Sequence, residues 1–424
     1  MRTDNRGGSV KIFRCLALEG TKPDKIKSCF YVQGKTLRRA FSEILYEICK
    51  KEKINRYKLS REITIQLGTE RSTVLKYFRE KNYFPVYLLN ILLSKLPKSK
   101  ADHFCAKIQR DVEFFKVGTS VNWTKFPKRL NREIAWLAGA ISADGWISRD
   151  KNGKERLGIV DQNKDALDIA AKYFEQLFGL KMIVEKNPQS NSWLLIVDNK
   201  AIIKFFVHFL DFSYGRKTYT ISEPTIIKKS HYRLDFAKGL LCFDGSVELD
   251  STVSIGLHNE KLIKELYGIL NEKGYHFKYS RPDAKISFIR SPYLYSCKNS
   301  KKWISLFGEN STKGNRLKFL ITGSTKKPSS ENEAIKSLES MVRKNHISKL
   351  SIKDIFYFAQ KRKRFTKHEI MSQFNIGHGS FWKYVMILRR SNIVKGEGEV
   401  GRGKKFYYVY NPNIQEWNIP SLVS

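Results

Sequence analysis

Two nine-residue segments, at 137–145 (Leu-Ala-Gly-Ala-Ile-Ser-Ala-Asp-Gly) and at 237–245 (Ala-Lys-Gly-Leu-Leu-Cys-Phe-Asp-Gly), run along one pattern. Each reads as the last turns of an apolar, small-residue helix closing on Asp-Gly, with the glycine expected to supply a left-handed backbone. The two aspartates, Asp144 and Asp244, are 100 residues apart. An acid on a final helical turn is unusual, because a helix C-terminus already carries partial negative charge. Two such ends side by side concentrate that charge and call for a divalent cation.

The surroundings repeat as well. Strand-like stretches at 146–148 and 156–161 and an amphipathic run at 164–178 follow the first segment, and a strand-like stretch at 246–257 and a helical one at 260–270 follow the second. In this frame Asp161-Gln162-Asn163 aligns with Leu257-His258-Asn259. Two divergent copies of one unit are therefore expected. Ala138, Gly139 and Ala143 on one helix, with Ala237 and Gly239 on the other, would let the helices approach closely.

At these residues the chain resembles the LAGLIDADG homing endonucleases, in their single-chain, two-motif form. The first segment departs from the family pattern at Ala140 and Ser142, the second mainly at Ala237, Lys238, Cys242 and Phe243. The eighth-position acid is kept in both. The stretch from Gly215-Arg216-Lys217 through Pro224 to Leu241 is similar to the inter-motif region of archaeal and intein-associated members. The resemblance implies an α+β fold with a pseudo-twofold core of two αββαββα repeats, about 133–225 and 232–322, within a domain at 128–322. It implies Mg²⁺ (or Mn²⁺) held by Asp144 and Asp244, and catalytic partners at Gln162 and His258 and at Lys217 and Lys313. The strands would form saddles in the major groove whose alternating polar side chains read base edges.

Composition agrees with a nucleic-acid partner. Lys and Arg number 78 against 41 Asp and Glu, a formal charge of +37, which is the electrostatic footprint of phosphate binding. No stretch approaches the ~18 apolar residues of a membrane span. The six cysteines are scattered without Cys-x-x-Cys, so neither a disulfide framework nor a zinc site is indicated. A cytoplasmic, nucleoid-associated prokaryotic protein is expected, archaeal by the resemblance. No Ser/His/Asp triad or Gly-rich phosphate loop has convincing spacing.

The flanks add two candidate DNA readers. Residues 1–35 are basic and unassigned, apart from a strand near 29–33. A helical domain at 36–127 is expected to hold a helix-turn-helix: one helix around 57–63, a turn at Gly68, and a second at 70–77, seamed by Leu59, Ile63, Val74 and Phe78. In that arrangement Arg71, Ser72, Thr73 and Lys76 face DNA, although a plain helical bundle has the same periodicity. Residues 323–340 have linker composition. At 341–415, two helices, a turn at 375–377 and a basic β-hairpin resemble a winged helix, with Ser380, Lys383, Arg402, Lys404 and Lys405 as contacts. Sixteen Lys and Arg against four Asp and Glu between 341 and 410 support phosphate contact there.

Three functions compete. The first is a site-specific, homing-type endonuclease that hydrolyses phosphodiester bonds in double-stranded DNA and acts as a monomer with internal pseudo-twofold symmetry. The second is a transcription regulator on a domesticated LAGLIDADG scaffold, and the third an RNA maturase. Retention of both acids favours the first.

Overall fold

The computed structural model describes residues 30–79, 81–118, 122–188, 190, 192–215, 221–248, 251–280, 293–296, 303–307, 311–322, 325–342, 350–398 and 406–420. The chain divides into two compact units, one ending at Phe243 and one beginning at Asp244.

The first unit opens with β1 (Phe30–Gln33), α1 (Leu37–Glu52), α2 (Arg56–Leu67), α3 (Arg71–Arg79), β2 (Tyr83–Pro85), α4 (Val86–Ser94), α5 (Lys98–Asp111), β3 (Phe114–Val117) and β4 (Thr124–Lys125). Helix α1 buries Leu37, Ala40, Phe41, Ile44, Leu45 and Ile48, the three-and-four spacing of one helical face. Asn55 caps α2 by accepting from the Lys58 amide, and Gly68 ends it at φ 58°. Leu59, Ile63, Val74 and Phe78 are all buried between α2 and α3. Arg38 donates to the carbonyls of Tyr77 and Phe78, tying α1 to the end of α3.

The helical expectation for 36–127 misses a four-stranded antiparallel sheet, ordered β2-β1-β3-β4, whose first strand lies before residue 36. Strands of two to four residues are too short to show a period of two. Aromatic contacts join this sheet to a helix some ninety residues beyond it: Phe30 lies 6.1 Å from Phe209 and 5.8 Å from His208, and Phe115 6.4 Å from Phe205.

The same unit continues with α6 (Arg132–Asp144), β5 (Gly145–Arg149), β6 (Glu155–Asp161), α7 (Lys164–Phe178), β7 (Val184–Lys186), β8 (Trp193–Val197), α8 (Lys200–Phe209), α9 (Thr225–Lys228) and α10 (Arg233–Asp244). The antiparallel sheet runs β5-β6-β8-β7. Its inner residues Ile147, Leu157, Ile159, Leu195 and Val197 are buried, as are Leu167, Phe174 and Phe178 of α7 and Phe205 and Phe206 of α8.

The second unit contains β9 (Gly245–Val247), β10 (Val253–Gly256), α11 (Glu260–Glu272), β11 (Phe277–Ser280), β12 (Tyr293–Ser296), α12 (Ile304–Phe307) and α13 (Thr312–Thr322). The stretch expected as one strand at 246–257 is a hairpin, β9 pairing with β10. The sheet order is β11-β12-β10-β9.

The unit ends with β13 (Thr325–Lys326), α14 (Glu331–Met341), α15 (Ile352–Arg362), β14 (Arg364–Phe365), α16 (Lys367–Phe374), α17 (His378–Arg390), β15 (Val394–Gly398), β16 (Phe406–Tyr410) and β17 (Ile419–Pro420). The expected linker is thus largely structured. β13 pairs with β17, and α14 starts at Ser330, whose hydroxyl accepts from the Glu333 amide, while Lys326 and Ser329 pull the Glu333 carboxyl down to about 2. Ala334, Ile335, Leu338 and Met341 bury one face of α14. Thr366 and Glu369 form a capping box at the start of α16, Asn375 turns left-handed at φ 47°, and α17 begins after Gly377.

Candidate functional site

Helices α6 and α10 touch backbone to backbone. A Cβ on Gly139 would stand 2.1 Å from the Phe236 carbonyl oxygen and 2.8 Å from the Leu240 nitrogen. One on Gly239 would stand 2.0 Å from the Trp136 oxygen and 2.9 Å from the Ala140 nitrogen. In each case the neighbours are three residues before and one after the opposite glycine, so the crossing is reciprocal. Ala138, Ala140 and Ala237 are buried around it, and Trp136 meets Phe243 at 5.8 Å. Asp144 and Asp244 each follow their crossing glycine by five residues and each closes its helix, half-buried.

The glycine after each acid has another reason than the one expected. Gly145 is extended, at φ −84° and ψ 163°, and Gly245 is not among the positive-φ glycines. A Cβ on Gly145 would meet Ile141 Cα at 2.5 Å. The strand leaves α6 so tightly that a side chain has no room, which makes this a steric requirement and not a left-handed one.

That tight exit aligns each acid with a neighbour from its own sheet. Gly145 pairs with Ile159 and Gly245 with Ile255, and the antiparallel register carries β6 and β10 back past the ends of α6 and α10. Gln162 and His258 come three residues after those partners, and both are exposed. Asp161 is buried and accepts from the Asn163 amide at 2.6 Å, turning the chain so that Gln162 sits at the tip. Asn259, at the place equivalent to Asn163, caps α11 through the Leu262 amide.

Of the two expected lysines, Lys313 is half-buried in the first turn of α13, while Lys217 lies outside the described residues. The chain just before Lys217 is fastened to the sheet, the Gly215 amide donating to the Ile147 carbonyl at 2.9 Å. Tyr214 packs there beside Glu155, and burial pushes its hydroxyl pKa up, with Glu155 adding to the shift. Glu155 is buried, its side chain 1% exposed, and ion-paired to Lys204 at 3.1 Å. Sequence reasoning missed this pair because Glu155 opens a strand and reads as a solvated charge.

The outward faces of the two sheets differ. On the first, Trp146, Gly158 and Ile196 stand in register, followed by Val160 and Leu194. A Cβ on Gly158 would lie 2.4 Å from the Trp146 ring, so the indole lies over the Gly158 backbone, and Ile196 is 37% exposed. The alternating polar side chains expected here are confined to the ends, as in the Ser148–Arg156 pair. On the second, Ser246 opposes Ser254, Ser246 and Lys278 are exposed, and Ser254 is half-buried.

In the flanks, Ser72 and Lys76 are exposed on α3 and Thr73 is half-buried, while the seam residues Val74 and Phe78 are buried. Arg71 is not free on the surface: its guanidinium carbon lies 3.2 Å from the centre of the Tyr57 ring. Ser380 and Lys383 are half-buried in α17, and Arg402, Lys404 and Lys405 lie outside the described residues. Among the described residues no helix is long and apolar enough to cross a membrane.

The family model of a LAGLIDADG-like domain matches residues 131–208, from the cap of α6 through nearly all of α8. Among solved structures, I-DmoI in complex with DNA and Mn is similar over 42% of this chain and 96% of its own, at 16% identity and a TM-score of 0.32. The homing endonuclease I-WcaI bound to its DNA recognition sequence is similar over 45% and 81%, at 16% identity and 0.28. The N-terminal LAGLIDADG domain of DUF199/WhiA is similar over 42% and 82%, at 18% identity and 0.27. The match to the LAGLIDADG-like family model is confined to residues 131–208.

Proposed function

We propose that this protein is a site-specific endonuclease of homing type that binds double-stranded DNA as a monomer and hydrolyses phosphodiester bonds in it. The observation that carries the reading is the reciprocal glycine crossing of α6 and α10, each helix closing on an aspartate five residues further on. The donor chemistry fits a divalent metal: two carboxylates at helix C-termini, where the backbone adds negative charge. Asp144 and Asp244 would hold Mg²⁺ or Mn²⁺, which when bound makes water a better nucleophile and neutralises the leaving oxygen.

The chain's own groups divide the remaining work. Gln162 has no exchangeable charge, so it can orient a water by hydrogen bonding, whereas the His258 imidazole can also take a proton. Lys217 and Lys313 would offset charge on the phosphate. Ser72, Thr73 and Lys76 on α3, with Ser380 and Lys383 on α17 and Arg402, Lys404 and Lys405 after β15, would extend contact along the duplex as helix-turn-helix and winged-helix readers. Arg71, stacked on Tyr57, would present its guanidinium edge to phosphate.

Incubation with a randomised duplex library and Mg²⁺ or Mn²⁺, sequencing bound and cut products, tests the reading. Asp144→Asn and Asp244→Asn should abolish cutting and leave binding within a few-fold. Unchanged cleavage by both variants would remove these residues from the site. The two helix-turn-helix pairs, α2–α3 and α16–α17, favour one competing reading, a DNA-binding regulator on the same scaffold. It requires the wild-type chain to bind a selected duplex and cut nothing.

A further inference from the structure

From the outward face of the sheet in the first unit, we propose that it reads thymine methyl groups. The face would thus require an A·T-containing half-site, while the sheet of the second unit reads its half-site by hydrogen bonds. The inference rests on the duplex-binding reading above and specifies the chemistry of its substrate.

The starting point is what a strand position costs to keep apolar. Inner positions of β5, β6 and β8 form the core, so their apolar residues need no further account. Outward positions are ordinarily polar when one face of an antiparallel sheet meets water. Here Trp146, Val160, Leu194 and Ile196 all point outward, on three adjacent strands in register. They are contiguous, not scattered: Trp146 lies over Gly158, Ile196 pairs with Gly158 on the other side, and Leu194 pairs with Val160. Ile196 is exposed and Trp146, Val160 and Leu194 are half-buried, and a contiguous apolar patch open to solvent marks a binding surface.

Its rim names the partner. The turn joining β5 to β6 carries the exposed Lys151 and Lys154; the flanking Arg149 and Arg156 are ion-paired to Glu155 at 3.9 Å and to Asp198 at 3.2 Å, and the exposed Glu185 borders Leu194 on the other side. An apolar floor with a cationic edge complements a groove whose walls are phosphates and whose floor presents methyls. In the major groove the only apolar group on a base pair edge is the thymine 5-methyl, and aliphatic and aromatic side chains are its natural contacts. None of these four apolar side chains can hydrogen-bond the base edges of a G·C pair, apart from the single indole N–H of Trp146. The second unit offers the opposite chemistry at matching positions, with Ser246 opposite Ser254 and Lys278 exposed on β11. Hydroxyls there donate and accept, and the ammonium donates to guanine.

The experiment uses the full chain and the duplex recovered from a randomised pool, resynthesised with 2′-deoxyuridine in place of thymidine in one half-site or the other. This change deletes only methyls and leaves every hydrogen-bonding atom in place. Burial of one methyl is worth about fourfold in affinity, so two or three lost contacts should weaken binding by about 15- to 60-fold in one half and under twofold in the other. The variant Ile196→Thr, β-branched and on the exposed face, should bind with a smaller deoxyuridine penalty than the wild type. Equal affinity for the substituted and unsubstituted duplexes would overturn the methyl reading and leave duplex binding standing. Equal penalties in the two halves would also overturn it, because the asymmetry between the sheets is the premise. Recovery of no preferred duplex from the pool would overturn both readings, and would assign the apolar face to a protein partner.

Discussion

Replacing Gly139 with alanine puts the crossing of α6 and α10 to a direct test. An added Cβ would stand 2.1 Å from a backbone oxygen, where ordinary contact begins at 3.4 Å. The shortfall of about 1.3 Å cannot be relieved by a rotamer, because both close neighbours are backbone atoms of α10. The helices must separate by a similar distance, loosening the buried Ala138, Ala140 and Ala237 around the crossing. Overpacking of this kind costs about 1–3 kcal/mol, and the rigid backbone puts the cost at the upper end. Higher helix propensity returns about 1 kcal/mol. A net loss of about 2 kcal/mol results, roughly 30-fold in the folding equilibrium. Adding Gly239→Ala asks for the same separation, so the double variant should lose about 3 kcal/mol, less than the sum of the singles. Urea midpoints, with hydrogen exchange of peptides covering α6 and α10, measure both. Stabilisation by about the propensity gain would mean that the helices do not meet at Gly139, and the reasoning would fail with it.

Three further expectations concern the charges of the first unit and its readers. Lys204→Met leaves the buried Glu155 with only the more distant Arg149, 3.9 Å away, and should cost about 3 kcal/mol, the lower end for breaking a buried pair, most of it recovered by adding Glu155→Leu; additive losses in a double-mutant cycle would deny the pairing. His208 has its pKa held below the usual 6.5 by burial and by nearby Lys204, against an opposing pull from Glu155. The unfolded chain therefore binds a proton first, so stability is full above pH 6.5 and falls as pH drops towards the folded pKa. His208→Gln should flatten urea midpoints measured across that window. Lys76→Ala should lower the slope of log affinity against log salt by about 0.9 if α3 touches one phosphate, and an unchanged slope would place α3 away from the duplex.

The sequence carried most of what depends on periodicity and little of what depends on sterics. Helix α7 spans 164–178, the residues whose apolar spacing predicted it, because a fifteen-residue amphipathic pattern has few alternatives. Strands β1 to β4 are two to four residues long, and no pattern that short separates strand from turn. The stretch at 323–340 shows the limit of composition: Ser, Lys and Pro suggested a linker, while the Ser330 cap and the Ala334–Leu338 spacing were the better signals of α14. At the crossing, the helix ends at Asp144 and Asp244 were legible from repetition alone. The role of Gly145 was not, since it depends on how closely the strand passes Ile141. The outward residues Trp146, Val160, Leu194 and Ile196 could be assigned only after the register of β5, β6 and β8 fixed which alternate positions face the core.

That same register separates specificity from stability. Glycine and alanine at the α6–α10 crossing are fixed by backbone contact, and Ile147, Leu157, Ile159, Leu195 and Val197 by burial. Outward positions other than Gly158, which the Trp146 ring covers, answer to neither constraint. An exposed residue such as Ile196 can change with only about ±0.5 kcal/mol in stability. A chain built this way keeps the reciprocal crossing while its two sheets present unlike side chains, Trp146, Val160, Leu194 and Ile196 on one and Ser246, Ser254 and Lys278 on the other. A duplex that satisfies both faces cannot be a palindrome, because the two halves of a palindrome offer identical base edges to surfaces that select for different ones.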